Sequence, residues 1–322
     1  MEIVAADIGG THARFALAEV AGGKVVSLGA ETTLKTAEHA SFETAWEAFA
    51  EQTGRALPPR AGIAIAGPVD GEVLRFTNNP WVIRPGDLPK RLGLEHLTLV
   101  NDFGAVAHAA AQLGPENYRH ICGPEKPFPT KGIISIVGPG TGLGVAQVLR
   151  CDDDQYHAIE TEGGHIDYAP LDGIEDGILR HLRERYRRVS AERVVSGPGL
   201  ANIHEALAKL EGRAIQVGDD KALWTAALDG TDSLAVAALE RFCLSFGGVA
   251  GDIALAQGGV GVVIAGGIGL RLADHLPKSG FKQRFVAKGR FEARMGKIPV
   301  KLITHPQPGL FGAAAAAARA IG

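Results

Sequence analysis

Apolar residues in this chain come in short blocks closed by glycine, and the blocks recur in two series. The first opens with EIVAADIGGTHARFALAEV, an apolar run followed by Asp7, Gly9 and Gly10 and then a second apolar run. Runs this short, broken by glycine, predict strand, tight turn, strand. Residues 41–53 have helical spacing, and 61–66 (AGIAIA) form a short buried strand closed by Gly67 and Pro68. Another strand spans 97–100, and a helix is expected over 103–113. The second series opens with GIISIVGPGTGLGVAQVL at 132–149, again strand, glycine turn, strand. Helices are expected over 175–187, 199–210 and 232–257. GVVIAGGIG (261–269) reads as a buried strand ending in glycine, 298–303 as a strand, and 309–320 as a close-packing helix with six successive alanines.

The halves echo one another, because each opens with a glycine-turn hairpin and each later runs an apolar strand into Ala-Gly (IAIAGP, VVIAGG). The spacings differ, so any duplication has diverged. The pattern predicts two α/β lobes whose glycine turns face one another across a cleft suited to a phosphorylated ligand. Their boundary, near 112–131, is marked only by Gly, Pro and Lys in GPEKPFPTKG.

Bulk properties narrow the function. The 322 residues are comfortable for two domains, and a net charge of −3 gives no reason to expect nucleic acid or an anionic membrane as partner. The basic run RHLRERYRR (180–188) is interrupted by Glu184 and reads as a solvated helix face. The three cysteines, Cys122, Cys151 and Cys243, are dispersed and never form CxxC, which argues against a disulfide framework and a thiolate zinc site. MEIVAADIGG carries Glu2 and Asp7 and no basic leader, so a cytoplasmic protein is expected. Residues 244–270 have Asp252 as their one charge, yet their nine glycines suggest the end of a buried helix, a turn, a buried strand and a glycine loop rather than a membrane span.

Two features carry chemistry. Glycine turns bind phosphate because backbone N–H groups approach it with no Cβ in the way. One such turn is explained by hairpin geometry alone; two at corresponding places, one with Thr11 and one with Thr141, point to phosphate. No GxxxxGK[ST] occurs, and GPGTGLG (138–144) does not complete GxGxxG, so neither a P-loop nor a Rossmann dinucleotide site is expected. Asp7, on the first turn, can hold the Mg²⁺ of a nucleotide, directly or through water. The second feature is LTLVNDFGAVAHAA (97–110), where an amide and a carboxylate stand at the end of an apolar strand. Asp102 can cap the following helix and Asn101 can bond the turn. Equally, strand C-terminal ends in open α/β sheets face the ligand crevice.

DIGGT (7–11), NDF (101–103), GPGTGLG (138–144), EGGH (162–165), SAERVVSGPG (190–199), AGGI (265–268) and PGLFGA (308–313) occur in this order. Each is weak alone; together the chain resembles the zinc-free bacterial ATP-dependent glucokinases, hexokinase-type kinases of the actin-like ATPase superfamily. The resemblance implies a two-lobed α/β fold of ribonuclease H-like type, mixed sheets flanked by helices with a central cleft. Residues 1–112 with the C-terminal helix 309–322 would form the smaller lobe, and 113–308 the larger. The CxCGxxGCxE zinc motif of the sister repressor/open-reading-frame/kinase group is absent, so the expected cofactors are ATP and Mg²⁺ without zinc. Pro139 departs from the small residue common in the second phosphate loop, and should stiffen it.

The implied reaction is transfer of the ATP γ-phosphate to the 6-hydroxyl of glucose. Ala6, Asp7, Ile8, Gly9, Gly10 and Thr11, with Gly138, Gly140, Thr141 and Gly142, would clasp the phosphates, while Gly266 and Gly267 contact the adenosine. Asp102 becomes the base for the hydroxyl proton. Asn101, Glu162, His165 and Glu192 would bind sugar hydroxyls, with Asn79 of TNNPW (77–81) lining the same pocket. A homodimer is implied too. Alternatives are a kinase of another hexose or amino sugar, and a silent sugar-binding regulator; a regulator would not need Asp102.

Overall fold

The computed structural model describes residues 1–76, 79–152, 155–214 and 219–322. They form two compact units, Met1–Gly114 with Ala158–Glu160 and His305–Gly322, and Pro115–His157 with Thr161–Thr304.

In the first unit, strands β1 (Glu2–Ile8) and β2 (His12–Ala21) make the opening hairpin, followed by β3 (Lys24–Leu28) and β4 (Thr32–Lys35). Helix α1 (Phe42–Thr53) starts at a capping box, in which the Ser41 side chain accepts from Thr44 N and Thr44 bonds back to Ser41 N. Then come β5 (Arg60–Ile65), the short β6 (Leu74–Arg75) and β7 (Val82–Ile83), α2 (Leu88–Leu92), β8 (His96–Asn101) and α3 (Asp102–Gln112). The main sheet runs β3-β2-β1-β5-β8, with β4 on β2. β1 and β2 are antiparallel, whereas β1, β5 and β8 are parallel. Because Ile8 pairs with Ile65, and Ile65 with Asn101, these three strands end level. The DIGGT turn, Ala66–Gly67 and Asn101–Asp102 therefore leave the sheet at one edge, the C-terminal ends of the parallel strands.

The second unit contains β9 (Tyr118–Cys122), β10 (Gly132–Pro139), β11 (Leu143–Arg150) and the two ends of β12 (Tyr156–Thr161), whose residues 158–160 belong to the first unit. Helices α4 (Gly173–Arg185), α5 (Gly197–Leu210), α6 (Asp220–Asp229) and α7 (Ser233–Gln257) follow. The chain continues with β13 (Gly261–Ile264), α8 (Gly266–Arg271), α9 (Phe281–Val286), α10 (Glu292–Met295) and β14 (Val300–Ile303). The sheet order is β12-β11-β10-β13-β14-β9. An antiparallel hairpin (β10, β11) again lies beside parallel strands (β13, β14), so both sheets share one topology and the glycine turns occupy equivalent places.

Two local expectations are corrected. The glycine loop expected after β13 is a helical turn: the strand stops at Ile264 and α8 starts at Gly266, where φ is +80°. Ala265 N still bonds Val137 O at 3.0 Å, so the chain leaves the sheet one residue later. Helix α3 begins at Asp102 rather than Phe103, for a reason given by its cap below. The apolar stretch from 244 belongs to α7, which among the described residues is the one helix long and apolar enough to cross a membrane. Its Leu239, Phe242, Cys243 and Phe246 are buried in the second unit's core, against Trp224 and Phe281.

The last helix, α11 (Pro308–Ile321), belongs to the first unit, where its alanines 313–318 are buried against β1, β5 and α3. The opposite face of that sheet is filled by aromatic rings, with Phe15 stacked on Phe49 at 5.1 Å and on Phe42 at 6.0 Å. Only a helix of small residues comes this close to a strand. A Cβ on Gly62 would strike the Ala313 carbonyl and the Ala317 methyl, and one on Gly312 the Ala105 carbonyl. Helix propensity alone favours Gly312→Ala by up to about 1 kcal/mol. Overpacking costs about 1–3 kcal/mol, more where the obstacle is backbone. Gly312→Ala and Gly62→Ala should each lower the melting temperature; an increase for Gly312→Ala would show that α11 yields.

Candidate active site

The site is built from strand ends. In the first unit, Gly9 N donates to His12 O (2.9 Å), and Thr36 clamps the turn from the side, its Oγ1 donating to Gly10 O (3.0 Å) and its N to Thr11 O (3.1 Å). Thr11 is exposed, with Oγ1 3.0 Å from His12 Nδ1. Ala6 and Ile8 are wholly buried in the core, so only their backbone can face a ligand. Asn79 is buried against this turn. Its Oδ1 accepts from Trp81 N (2.9 Å) and its Nδ2 donates to Gly9 O (3.4 Å), which is an Asx-turn role. Thr77 and Asn78 of the same motif lie outside the described residues.

Asp7 stands opposite Arg14 across the hairpin, Oδ2 to Nη1 3.6 Å, and Arg14 also faces Glu31. Burial raises the Asp7 carboxyl above the usual range, and Arg14 offsets this only in part. Gly309, in the first turn of α11, leaves room for it, since a Cβ there would lie 2.8 Å from Asp7 Oδ2. A carboxylate short of solvation beside a glycine turn fits Mg²⁺, which binds through one or two carboxylates together with phosphate oxygens and water.

Asn101 and Asp102 divide the roles differently from the sequence expectation. The helix cap is Asn101, not Asp102: Asn101 Oδ1 accepts from Phe103 N (2.8 Å) and Gly104 N (3.3 Å), and its Nδ2 donates to Gly67 O (3.0 Å). Asn is as good a cap as Asp, and it sits at the last strand residue, where extended backbone aims the side chain at the helix N–H groups. Asp102 is thereby the first helical residue, half-buried, with Oδ1 accepting from Phe103 N at 2.9 Å.

In the second unit, Pro139 pairs with Leu143, and the turn between them closes on itself through Gly140 N to Gly142 O (2.8 Å). Gly138 is buried, while Gly140 and Gly142 are half-buried and Thr141 is exposed. Three segments pack on this turn. Gly197, at the start of α5, donates to Gly140 O (2.7 Å). Glu192 lies over Gly142 and accepts from Leu143 N (3.0 Å) through Oε2, so it is no idle surface residue. Gly266 rests on the Pro139 carbonyl, where a Cβ would come within 2.5 Å; Gly267 beside it has open space.

The EGGH turn joins them. Gly164 packs on the Leu143 carbonyl and Gly163 on the Val145 side chain, so these glycines are needed against β11 whatever they do for a ligand. The exposed side chains of Glu162 and His165 lie 3.9 Å apart, Oε2 to Nε2. Arg188 steadies the turn by donating to His165 O (2.7 Å) and Asp167 Oδ1 (2.6 Å). Arg14, Gly197 and Gly309 have structural roles here and are not among the expected site residues, although Gly197 sits inside SAERVVSGPG and Gly309 inside PGLFGA.

A twice-built sheet with a glycine hairpin at the edge of each, and a carboxylate beside the helix cap at the end of a parallel strand, is the arrangement of sugar kinases of the actin-like ATPase fold. Comparison with known proteins agrees. The glucokinase family model matches residues 4–320. A glucokinase of Zymomonas mobilis is 65% identical, covering 98% of this chain and 97% of that one. The crystal structure of a glucokinase from an Antarctic psychrotroph superposes with a TM-score of 0.87 at 33% identity, covering 98% of both chains. A ROK-family glucokinase from Streptomyces griseus, in complex with glucose and AMPPNP, shares the fold (TM-score 0.62, 19% identity, 98% of both chains). The chain belongs to the glucokinase family.

The Asp7 shift has a measurable sign. A carboxyl whose folded-state pKa is raised holds its proton longer in the folded state, so its ionisation destabilises the fold as pH rises through that range. Asp7→Asn should therefore melt higher than the parent at neutral pH, with the difference vanishing at a pH low enough to protonate Asp7 in both states. The same substitution should raise the KM for Mg-ATP about tenfold or more, as expected for a lost charged contact. Melting curves across pH and initial-rate kinetics check both; a lower melting temperature at neutral pH would overturn the desolvation account.

Proposed function

We propose that this glucokinase-family chain, which transfers the γ-phosphate of ATP to glucose, uses Asp102 as the base that takes the proton of the 6-hydroxyl. The observation that carries the reading is the capping by Asn101. Asn101 takes the cap of α3, so Asp102 is not needed in that role, and a carboxylate in the first helical turn, at a strand end beside a glycine turn, suits proton transfer. As the hydroxyl oxygen attacks the γ-phosphorus, its proton passes to an Asp102 carboxylate oxygen. The new O–P bond forms while the bond to the β-bridging oxygen breaks, and ADP leaves.

The turn at 6–11, with the Thr11 hydroxyl, and the turn of Gly138, Gly140, Thr141 and Gly142 are assigned to the ATP phosphates, the Gly9 and Gly140 N–H groups serving to close the turns themselves. Gly266 and Gly267 are assigned to the adenosine. Asp7 would hold Mg²⁺, which would supply charge neutralisation on the phosphates; no zinc is assigned. Glu162, His165 and Glu192 are assigned to sugar hydroxyls, Glu192 through the oxygen not bonded to Leu143 N. Asn101 and Asn79 each keep amide capacity for a hydroxyl beyond their structural bonds. The reading places the enzyme in the cytoplasm as a homodimer.

Asp102→Asn should lower kcat on the order of 10²-fold or more. The amide keeps the size and can still bond a hydroxyl, so glucose Kd by calorimetry should stay within about tenfold. Because the cap belongs to Asn101, and an amide oxygen at 102 can still accept from Phe103 N, the melting temperature should move little. A variant retaining half of the parent kcat would remove Asp102 from the mechanism. Separately, the purified protein should carry no stoichiometric zinc and should need added Mg²⁺ for activity. About one zinc per chain by elemental analysis would contradict the metal assignment.

A further inference from the structure

Glu160 touches the strand-to-helix junction that carries Asp102. Within the first unit, its Oε1 accepts the backbone N–H of Asn101 at 2.8 Å. Its side chain also lies directly over Gly104: the three atoms that a Cβ on Gly104 would meet first are all Glu160 side-chain atoms. The two contacts fall on either side of Asp102. Asn101 closes the strand and caps the helix, and Gly104 is the third helical residue. Asp102 and Phe103, between them, have little freedom to rotate as long as both ends are held.

We propose that Glu160 is a positioning residue for phosphoryl transfer, a carboxylate that seats the Asn-Asp-Phe-Gly turn and so sets the direction in which Asp102 presents its carboxylate. The chemistry favours such a part. A base must reach one hydroxyl proton in line with the attack, and a misplacement of about 1 Å can cost on the order of 10²-fold in rate. Asn101 ends β8, the edge strand of its sheet, and its backbone N–H finds its acceptor in the Glu160 carboxylate. A charged acceptor also makes the stronger bond, since hydrogen bonds to ionised groups contribute about twice as much as neutral ones. Gly104 follows from the same arrangement, because any larger residue there displaces Glu160. The role is distinct from that of Glu162, two residues on, whose exposed side chain lies beside His165 and is assigned to the sugar.

The proposal rests on Asp102 being the base, and the test keeps the two apart. Four variants are measured for kcat, glucose Kd by calorimetry and melting temperature: Glu160→Ala, Glu160→Gln, Gly104→Ala and Glu160→Ala/Gly104→Ala. Glu160→Ala should lose about ten- to a hundredfold in kcat with glucose Kd within about threefold. Glu160→Gln keeps an oxygen at the acceptor position and should recover most of that loss. Gly104→Ala alone should impair both rate and stability; in the Glu160→Ala background, where the obstructing side chain is gone, it should cost little further. Parent-like kcat in Glu160→Ala, with Asp102→Asn inactive, would overturn the positioning role and leave the base assignment standing. Strictly additive effects of the two alanine substitutions would also overturn it, by showing that the Gly104 contact transmits nothing. An active Asp102→Asn would instead remove the base assignment, and the coupling between Glu160 and Gly104 in melting temperature would still report whether Glu160 seats the turn.

Discussion

Around the second glycine hairpin, backbone meets backbone with no side chain between. The start of α5 bonds Gly140 O, the start of α8 rests on the Pro139 carbonyl, and the EGGH turn packs on the Leu143 carbonyl. Each approach is closed to a residue with a Cβ on the near side, so glycine stands at Gly164 and Gly266. Three segments far apart in the chain are thereby fixed to one turn, and Glu192 completes the enclosure by accepting from Leu143 N. A loop whose carbonyls and flanks are so engaged has its backbone fixed before any ligand arrives, which is the meaning of preorganisation. Pro139 fits this arrangement: it ends β10 with no N–H to donate, while its carbonyl supports Gly266.

The first unit reaches a comparable end by other means. Its hairpin turn is clamped by Thr36 and Asn79, polar side chains buried at the sheet edge, rather than by glycine-to-backbone packing. The helix that does come in at backbone distance is α11, and its first turn stops short of Asp7 because Gly309 has no side chain. That carboxyl is held where its charge is costly, between Arg14 and a helix start, with burial dominating its titration. A carboxyl so placed, at a strand end beside a glycine turn, costs stability when it ionises.

Much of the architecture follows from local pattern. The hairpins at 2–21 and 132–150, the parallel strands at 60–65 and 96–101, and helices α1, α5 and α7 are legible because period and glycine punctuation reflect short-range sterics. The apolar 244–270 stretch reads correctly as a buried helix and strand, since glycine at that density does not suit a lone membrane helix. The expected glycine loop after β13 failed because two glycines in a row are equally compatible with a turn and with a helix start. The Val137 and Pro139 carbonyls, contributed by a distant strand, made the choice.

Residue types and their order in the chain determined which groups are available for chemistry: two glycine turns, an Asn-Asp pair at a strand end, and the carboxylates and histidine of EGGH and SAER. Tertiary structure decided how those groups are committed. Whether Asn101 or Asp102 caps α3 depends on about one residue of register at the strand end, which no propensity resolves. The Gly67 carbonyl that takes the Asn101 amide, and the Glu160 carboxylate that takes its backbone N–H, come from chain positions 34 and 59 residues away. A hydrogen bond is directional to within tenths of an ångström, while a sequence specifies only what is near along the chain; partners brought in by folding are therefore decided by the sheet, not by the motif.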